Sequence, residues 1–129
     1  RTAVRILSNN KKGFFLMVEG SQIDWGGHAM NTIYVVEEML DFDRAIGEAL
    51  DFAARDRETL VIVTADHETG GMSVTGGNLY TGMVQGSFTS DDHTAVMVPV
   101  FAWGPGAEEF MGIMDNTDVH KKMKKLLLK

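Results

Sequence analysis

The stretch FFLMVEGSQIDWGGHA, residues 14–29, passes from five consecutive apolar side chains to Glu19, Asp24 and His28. A continuous apolar run such as Phe14 to Val18 reads as a strand buried on both faces. From about His28 to Arg55 the period changes. Ile33, Val36, Leu40, Ile46, Ala49, Leu50 and Ala53 recur at threes and fours, and Glu37, Asp41, Asp43, Arg44 and Glu48 fall mostly on the other side. That pattern predicts a long amphipathic helix with a candidate break near Asp41. The next segment, TLVIVT at residues 59–64, is apolar and β-branched, as a second buried strand would be. Strand, helix, strand predicts a parallel βαβ unit with a right-handed crossover, and hence an α/β fold.

On the N-terminal side, RTAVRILSNN reads as the end of a helix stopping at Asn9 or Asn10, with KKG as the turn. On the C-terminal side the chain becomes glycine-rich after His67, which predicts turns and a short hairpin. A third apolar strand is expected over Val96 to Trp103, with Pro99 marking an edge or a bulge. GPGAEEFMG, residues 104–112, reads as a loop with a helical turn, and Thr117 or Asp118 is the expected cap of a final helix running through Leu128. With 129 residues, no internal repeat and no low-complexity linker, the stretch is expected to be a single unit.

Composition narrows the function. No apolar run approaches the ~20 residues that a membrane helix requires. A net charge of -6 argues against a broad nucleic-acid surface, which needs clustered cations. The one basic cluster, HKKMKKLLLK at residues 120–129, reads as a last amphipathic helix whose lysines complement its C-terminal dipole. The chain has no cysteine, so disulfides and thiolate metal sites are excluded, and a transition metal would be held by His, Asp and Glu. It begins with Arg1 and shows no signal-peptide pattern, so it reads as part of something longer, with any targeting segment upstream.

In α/β sheets, ligands collect outside the carboxyl ends of the strands. Glu19 follows the first predicted strand, with Asp24 and His28 just beyond it. Asp66 and His67 follow the second, and His93 precedes the third. Asp24 and His28 are four apart, so a helix beginning by Asp24 puts them on one face. Asp66 and His67 are adjacent and diverge unless the backbone turns. Singly, a loop aspartate is more often a helix cap, and a lone histidine is more often packed or solvated. Three carboxylates and three of four histidines at one predicted edge favour a metal site; His120, on the lysine-rich helix, reads as solvated. Mixed nitrogen and oxygen donors suit zinc, an all-oxygen neighbour such as Glu19 suits magnesium, and the expected chemistry is metal-assisted hydrolysis.

These residues carry a resemblance. VEGSQIDWGGHA, then TLVIVTADHETGG, then the histidine of DDHTAVMVPVFAWGPGAEEFMG and a closing DNTD, in that order, closely resemble the C-terminal part of bacterial alkaline phosphatases over nearly the whole chain. The resemblance implies a three-layer α/β/α fold with a mainly parallel central sheet. It implies that Asp24, His28 and His93 bind one zinc ion, that Asp66 and His67 are ligands of a second, and that Glu19 binds a nearby magnesium ion. Trp25, beside Asp24, has two readings: tuning the metal site near the phosphate, or packing.

The implied activity is hydrolysis of phosphate monoesters through a phosphoserine intermediate, with one zinc activating the serine and the other stabilising the leaving oxygen. A homodimer and a periplasmic or secreted location are further expectations from the resemblance. The family's nucleophilic serine and phosphate-clamping arginine lie N-terminal to the matched part. Ser8, Ser21, Ser73, Ser87 and Ser90 match no nucleophile motif, so no catalytic residue is assigned, and the stretch alone is expected to be inactive. A phosphodiesterase of the same superfamily and a non-catalytic metal-binding or interaction module are the alternative readings.

Overall fold

The computed structural model describes residues 1–128. Helix α1 covers Thr2–Leu7, ending before the predicted Asn9 or Asn10. Helix α2, Ser21–His28, is followed by α3, Thr32–Asp56. The helix predicted from about His28 to Arg55 is α3, which starts a few residues later and runs unbroken through Asp41; residues 29–31 divide it from α2. The division has a local cause: Met30 takes a left-handed φ of 48°, and the Asn31 side chain accepts the Tyr34 N–H to cap α3. At Asp41 the polar side chain faces solvent and accepts from Arg44 one turn on, which supports the helix.

Strand β1, Val61–Thr64, forms where the second strand was expected. Short strands β2, Glu68–Thr69, and β5, His93–Thr94, pair with each other, and β3, Ser73–Asn78, with β4, Met83–Ser87, forms the expected hairpin. Strand β6 is Val100–Trp103, and Val96 to Pro99 precede it unpaired. Pro99 stands at the strand's edge, where its missing N–H costs no ladder bond, and its carbonyl accepts the Thr64 hydroxyl. A 3₁₀ turn spans Ala107–Phe110. Helix α4, Asn116–Leu127, is capped by Asp115, not by Thr117 or Asp118, because the Asp115 carboxylate reaches the Thr117 N–H and hydroxyl.

The α/β class is as expected, but the ladders differ from the predicted ones. All three described strand pairs are antiparallel, and β1 lies beside β6. Residues 14–18 join no ladder, so the expected parallel pairing with β1 is not seen. Strands successive in sequence are neighbours only about two-thirds of the time, and here Phe14 packs its ring on Phe52 of α3, with centroids 6.3 Å apart.

Few side chains are enclosed. Ala53 and Phe110 are the only buried hydrophobic residues among those described. The accessible surface is 9735 Å², against about 6,800 Å² for a folded chain of this mass. Helix α2 is closely packed on both sides. Gly26 backs onto Val35 and Tyr34 of α3, and Gly27 onto Thr69 of β2. This glycine pair wedges α2 between the long helix and the strand that follows His67.

Candidate metal centre

Helix α2 starts at Ser21, so Asp24 and His28 share a face one turn apart, as their spacing predicted. Asp24 Oδ1 stands 3.5 Å from His28 Nε2. His93 arrives from the far side of the sequence. Its strand β5 pairs with β2 so that Thr69 and His93 are direct partners, and its Nε2 lies 3.5 Å from Asp24 Oδ1 and 3.2 Å from His28 Nε2. Two imidazole nitrogens and one carboxylate oxygen thus converge from residues 24, 28 and 93.

The adjacent pair Asp66 and His67 also comes together, because the chain bends between β1 and β2. His67 Nε2 is 3.4 Å from Asp66 Oδ2. The His67 ring stacks on His93 with centroids 3.6 Å apart, and one donor atom each from Asp24, His67 and His93 falls within a 4.8 Å group. The five residues make one continuous cluster. Asp66 is its outermost member, with a side chain 88% exposed. Glu19 lies apart, on a cleft shared with Glu38, Asp41 and Phe42. Trp25 is 58% exposed on the outer side of α2.

The ring protons follow from the partners. His28 Nδ1 lies 2.6 Å from the Asp91 carbonyl; a carbonyl only accepts, so Nδ1 carries a proton, and Nε2 is the nitrogen turned toward Asp24 and His93. Asp24 is held below the ordinary carboxylate range. The Thr69 hydroxyl at 2.5 Å is the largest cause, partial burial opposes it, and His28, His93 and His67 add electrostatic support. The Asp24 carboxylate thus faces Nε2 of both His28 and His93.

The loop bearing His93 is fastened by backbone bonds. Gly70 N–H donates to the Asp92 carbonyl, and the Gly70 carbonyl accepts from Thr89 and Ser90. Gly70 has φ +90°, and a Cβ there would lie 2.8 Å from the Phe88 ring, so glycine is needed both for conformation and for space. Glu68 accepts from Gly71 N–H at 2.9 Å and from the Thr94 hydroxyl, tying β2 to β5. The sequence reading missed Thr69, Glu68 and the Asp91 carbonyl. Thr69 had a signal: it follows His67 by two, a spacing that in extended chain places both on one side. The Asp91 carbonyl had none, since any residue supplies one.

A carboxylate and imidazoles gathered at a loop edge of an α/β unit make a candidate metal-binding group, and the comparisons with known proteins give the family. The model of the alkaline phosphatase family matches residues 1–87 and 75–128, two stretches that overlap on the β3–β4 hairpin. The chain belongs to the alkaline phosphatase family. It is 32% identical to alkaline phosphatase 4 of Bacillus subtilis over 185 aligned positions, covering 91% of this chain and 40% of that one. The solved alkaline phosphatase of the Antarctic bacterium TAB5 superposes with a TM-score of 0.88 at 50% identity, covering 97% of this chain and 38% of that one. A variant of that enzyme solved with magnesium bound matches with a TM-score of 0.88 at 47% identity, covering 97% of this chain and 39% of that one. The chain spans about two-fifths of the length of these relatives. No helix among the described residues is long and apolar enough to cross a membrane.

Proposed function

We propose that Asp24, His28 and His93 hold a zinc ion in a metal-dependent hydrolase of phosphate monoesters. The observation that carries this reading is the ligand triangle, with edges of 3.2, 3.5 and 3.5 Å. Zinc bonds of about 2.0–2.1 Å at tetrahedral angles put neighbouring donors about 3.3–3.4 Å apart. Octahedral magnesium at the same bond lengths needs about 2.9 Å. The donor set and the spacing both fit zinc, with the fourth tetrahedral direction left for water or substrate.

Asp66 and His67 belong to a second zinc position, and Glu19 to a magnesium position, on the strength of their match to the family motif. Trp25 is exposed enough to border substrate. The 129 residues act as one α/β unit of a three-layer fold, in which the run 14–18 belongs to a mainly parallel central sheet. Bound zinc supplies Lewis-acid stabilisation of phosphoryl oxygens and lowers the pKa of the attacking group.

The residues of this chain orient that chemistry. His28 presents Nε2 because Asp91 holds its other nitrogen, and Asp24 supplies the negative charge that offsets the cation. No serine here matches the nucleophile of the family's phosphoserine route, and no arginine matches its phosphate clamp, so the stretch taken alone is inactive. A homodimeric assembly and a periplasmic or secreted location complete the proposal, with family membership as their support.

Calorimetric titration with zinc tests it, wild type against His28→Ala and His93→Ala. Each substitution removes a direct ligand, so each is expected to weaken binding by more than the 10–100-fold typical of losing an outer partner. Equal affinity in all three proteins would sink the assignment.

A further inference from the structure

Thr69 touches two of the proposed ligands with one atom. Its Oγ1 is 2.5 Å from Asp24 Oδ1 and 3.2 Å from His67 Nδ1. A hydroxyl has one proton to give and two lone pairs to receive. The Thr69 hydroxyl donates to the Asp24 carboxylate, so its proton is committed there. What Thr69 then turns toward His67 is a lone pair, and a hydrogen bond there requires the proton to sit on Nδ1 of His67.

We propose that Thr69 is a positioning residue that links His67 Nδ1–H, its own O–H and the Asp24 carboxylate into one donor chain. The consequence is a fixed tautomer. In the neutral imidazole a proton on Nδ1 leaves Nε2 as the lone-pair nitrogen, on the side where it lies 3.4 Å from Asp66 Oδ2. His28 reaches the same tautomer through a different partner, the Asp91 carbonyl. Two imidazoles of the cluster are thus set to offer Nε2 before any cation arrives, one by the main chain and one by Thr69.

The surroundings hold the hydroxyl in place. Thr69 is the direct strand partner of His93, and its methyl group and Cβ lie against Gly27 so closely that a Cβ on that glycine would sit 2.9 Å from Thr69 Cγ2. Rotating Oγ1 away from Asp24 would drive the methyl group out of this seat. The chain also spans both proposed zinc positions, since Asp24 belongs to one and His67 to the other. Losing the hydroxyl should therefore weaken both. This last consequence rests on the zinc reading; the tautomer itself does not.

The test is long-range ¹H–¹⁵N correlation of the imidazoles in the metal-free protein, on wild type, Thr69→Val and Thr69→Ser, followed by zinc titration of each. Expected are an Nδ1–H signature for His67 in wild type and in the serine variant, and its loss in the valine variant, which keeps the β-branched shape without the hydroxyl. Zinc affinity is expected to fall by about 10–100-fold in the valine variant and to return in the serine variant. An Nε2–H tautomer of His67 in wild type, or an unchanged tautomer in the valine variant, overturns the proposal. The wild-type spectrum decides alone if the valine protein does not fold. An Nδ1–H tautomer that depends on Thr69, in a protein that binds no zinc, upholds the donor chain and overturns the zinc reading.

Discussion

Residues 14–18 and residues 67–70 both flank α2, one leading into it and the other packed along it, yet their surroundings differ sharply. In the first, Phe15, Met17 and Val18 are 59%, 77% and 58% exposed, and no strand pairs with them. In the second, His67, Glu68 and Thr69 are half-buried and Gly70 is buried, with hydrogen bonds to residues 24, 71, 92 and 94. Polar groups at short range need only a few well-placed partners, and the turns after β1 supply them. An apolar run needs area, and the described residues do not cover it. The cluster is thus organised by a local hydrogen-bond net, with little contribution from a hydrophobic core.

The largest effect is expected where the comparison turns on burial. Phe110, 4% exposed, closes the small contact between the 3₁₀ turn and α4, where Lys122 lies over its ring. Phe110→Ala should cost about 3–5 kcal/mol. Phe15→Ala, the same chemical change on the exposed run, should stay within about 0.5 kcal/mol. Denaturant unfolding of both variants measures the contrast. Similar losses would mean that residues 14–18 are covered in solution, and that the difference between the two regions is smaller than it looks here.

A smaller effect is expected at the joint between α2 and the polar net. Gly27→Ala would place a methyl group 2.9 Å from Thr69 Cγ2 and 3.0 Å from the Thr69 carbonyl. Overpacking of this kind costs about 1–3 kcal/mol. Because the displaced residue is Thr69, the variant should also lose zinc affinity, whereas Gly47→Ala, which meets no atom within 4 Å on α3, should not. Thermal melts and zinc titration of the two alanine variants separate a local shift from a general loss of helix packing.

How much of this was legible in the sequence depends on the range of the interaction. The spacing of Asp24 and His28 fixed their shared face, because four residues in a helix make one turn. The long apolar period of residues 33–53 predicted α3, but not its start, because the left-handed Met30 has no signature in a hydrophobic pattern. Grouping His93 with Asp24 came from the family motif. The β2–β5 pairing that realises it spans more than twenty residues and joins strands of only two residues each. The antiparallel β1–β6 ladder had no signature of its own, because apolar, β-branched strands look the same whichever way their neighbours run. Thr69 was overlooked for another reason: a threonine after a histidine is common, and only the approach of α2 gives its hydroxyl a carboxylate to meet.

The same contrast between satisfied polar groups and uncovered apolar ones recurs at α4, and there the expected effect is smallest. Leu127 and Leu128 at its end are 55% and 72% exposed, while at its start Asp115 accepts from the Thr117 N–H and hydroxyl at 2.9 and 2.8 Å. Those bonds, the backbone one first, hold the Asp115 carboxyl below its ordinary value of 3.8, against a minor opposing effect of burial. A carboxyl whose folded value is depressed stabilises the fold fully above its unfolded value and loses that contribution as pH falls through the folded one. The start of α4 should therefore loosen on acidification below about pH 4, the range set by carboxylate protonation. Asp115→Asn keeps a capping oxygen but carries no charge, so the protection factor of its Thr117 amide should stay flat across that range while that of wild type falls. Parallel acid profiles in the two proteins would show that the cap owes nothing to ionisation, and that the local polar bonds which organise this molecule work here by geometry alone.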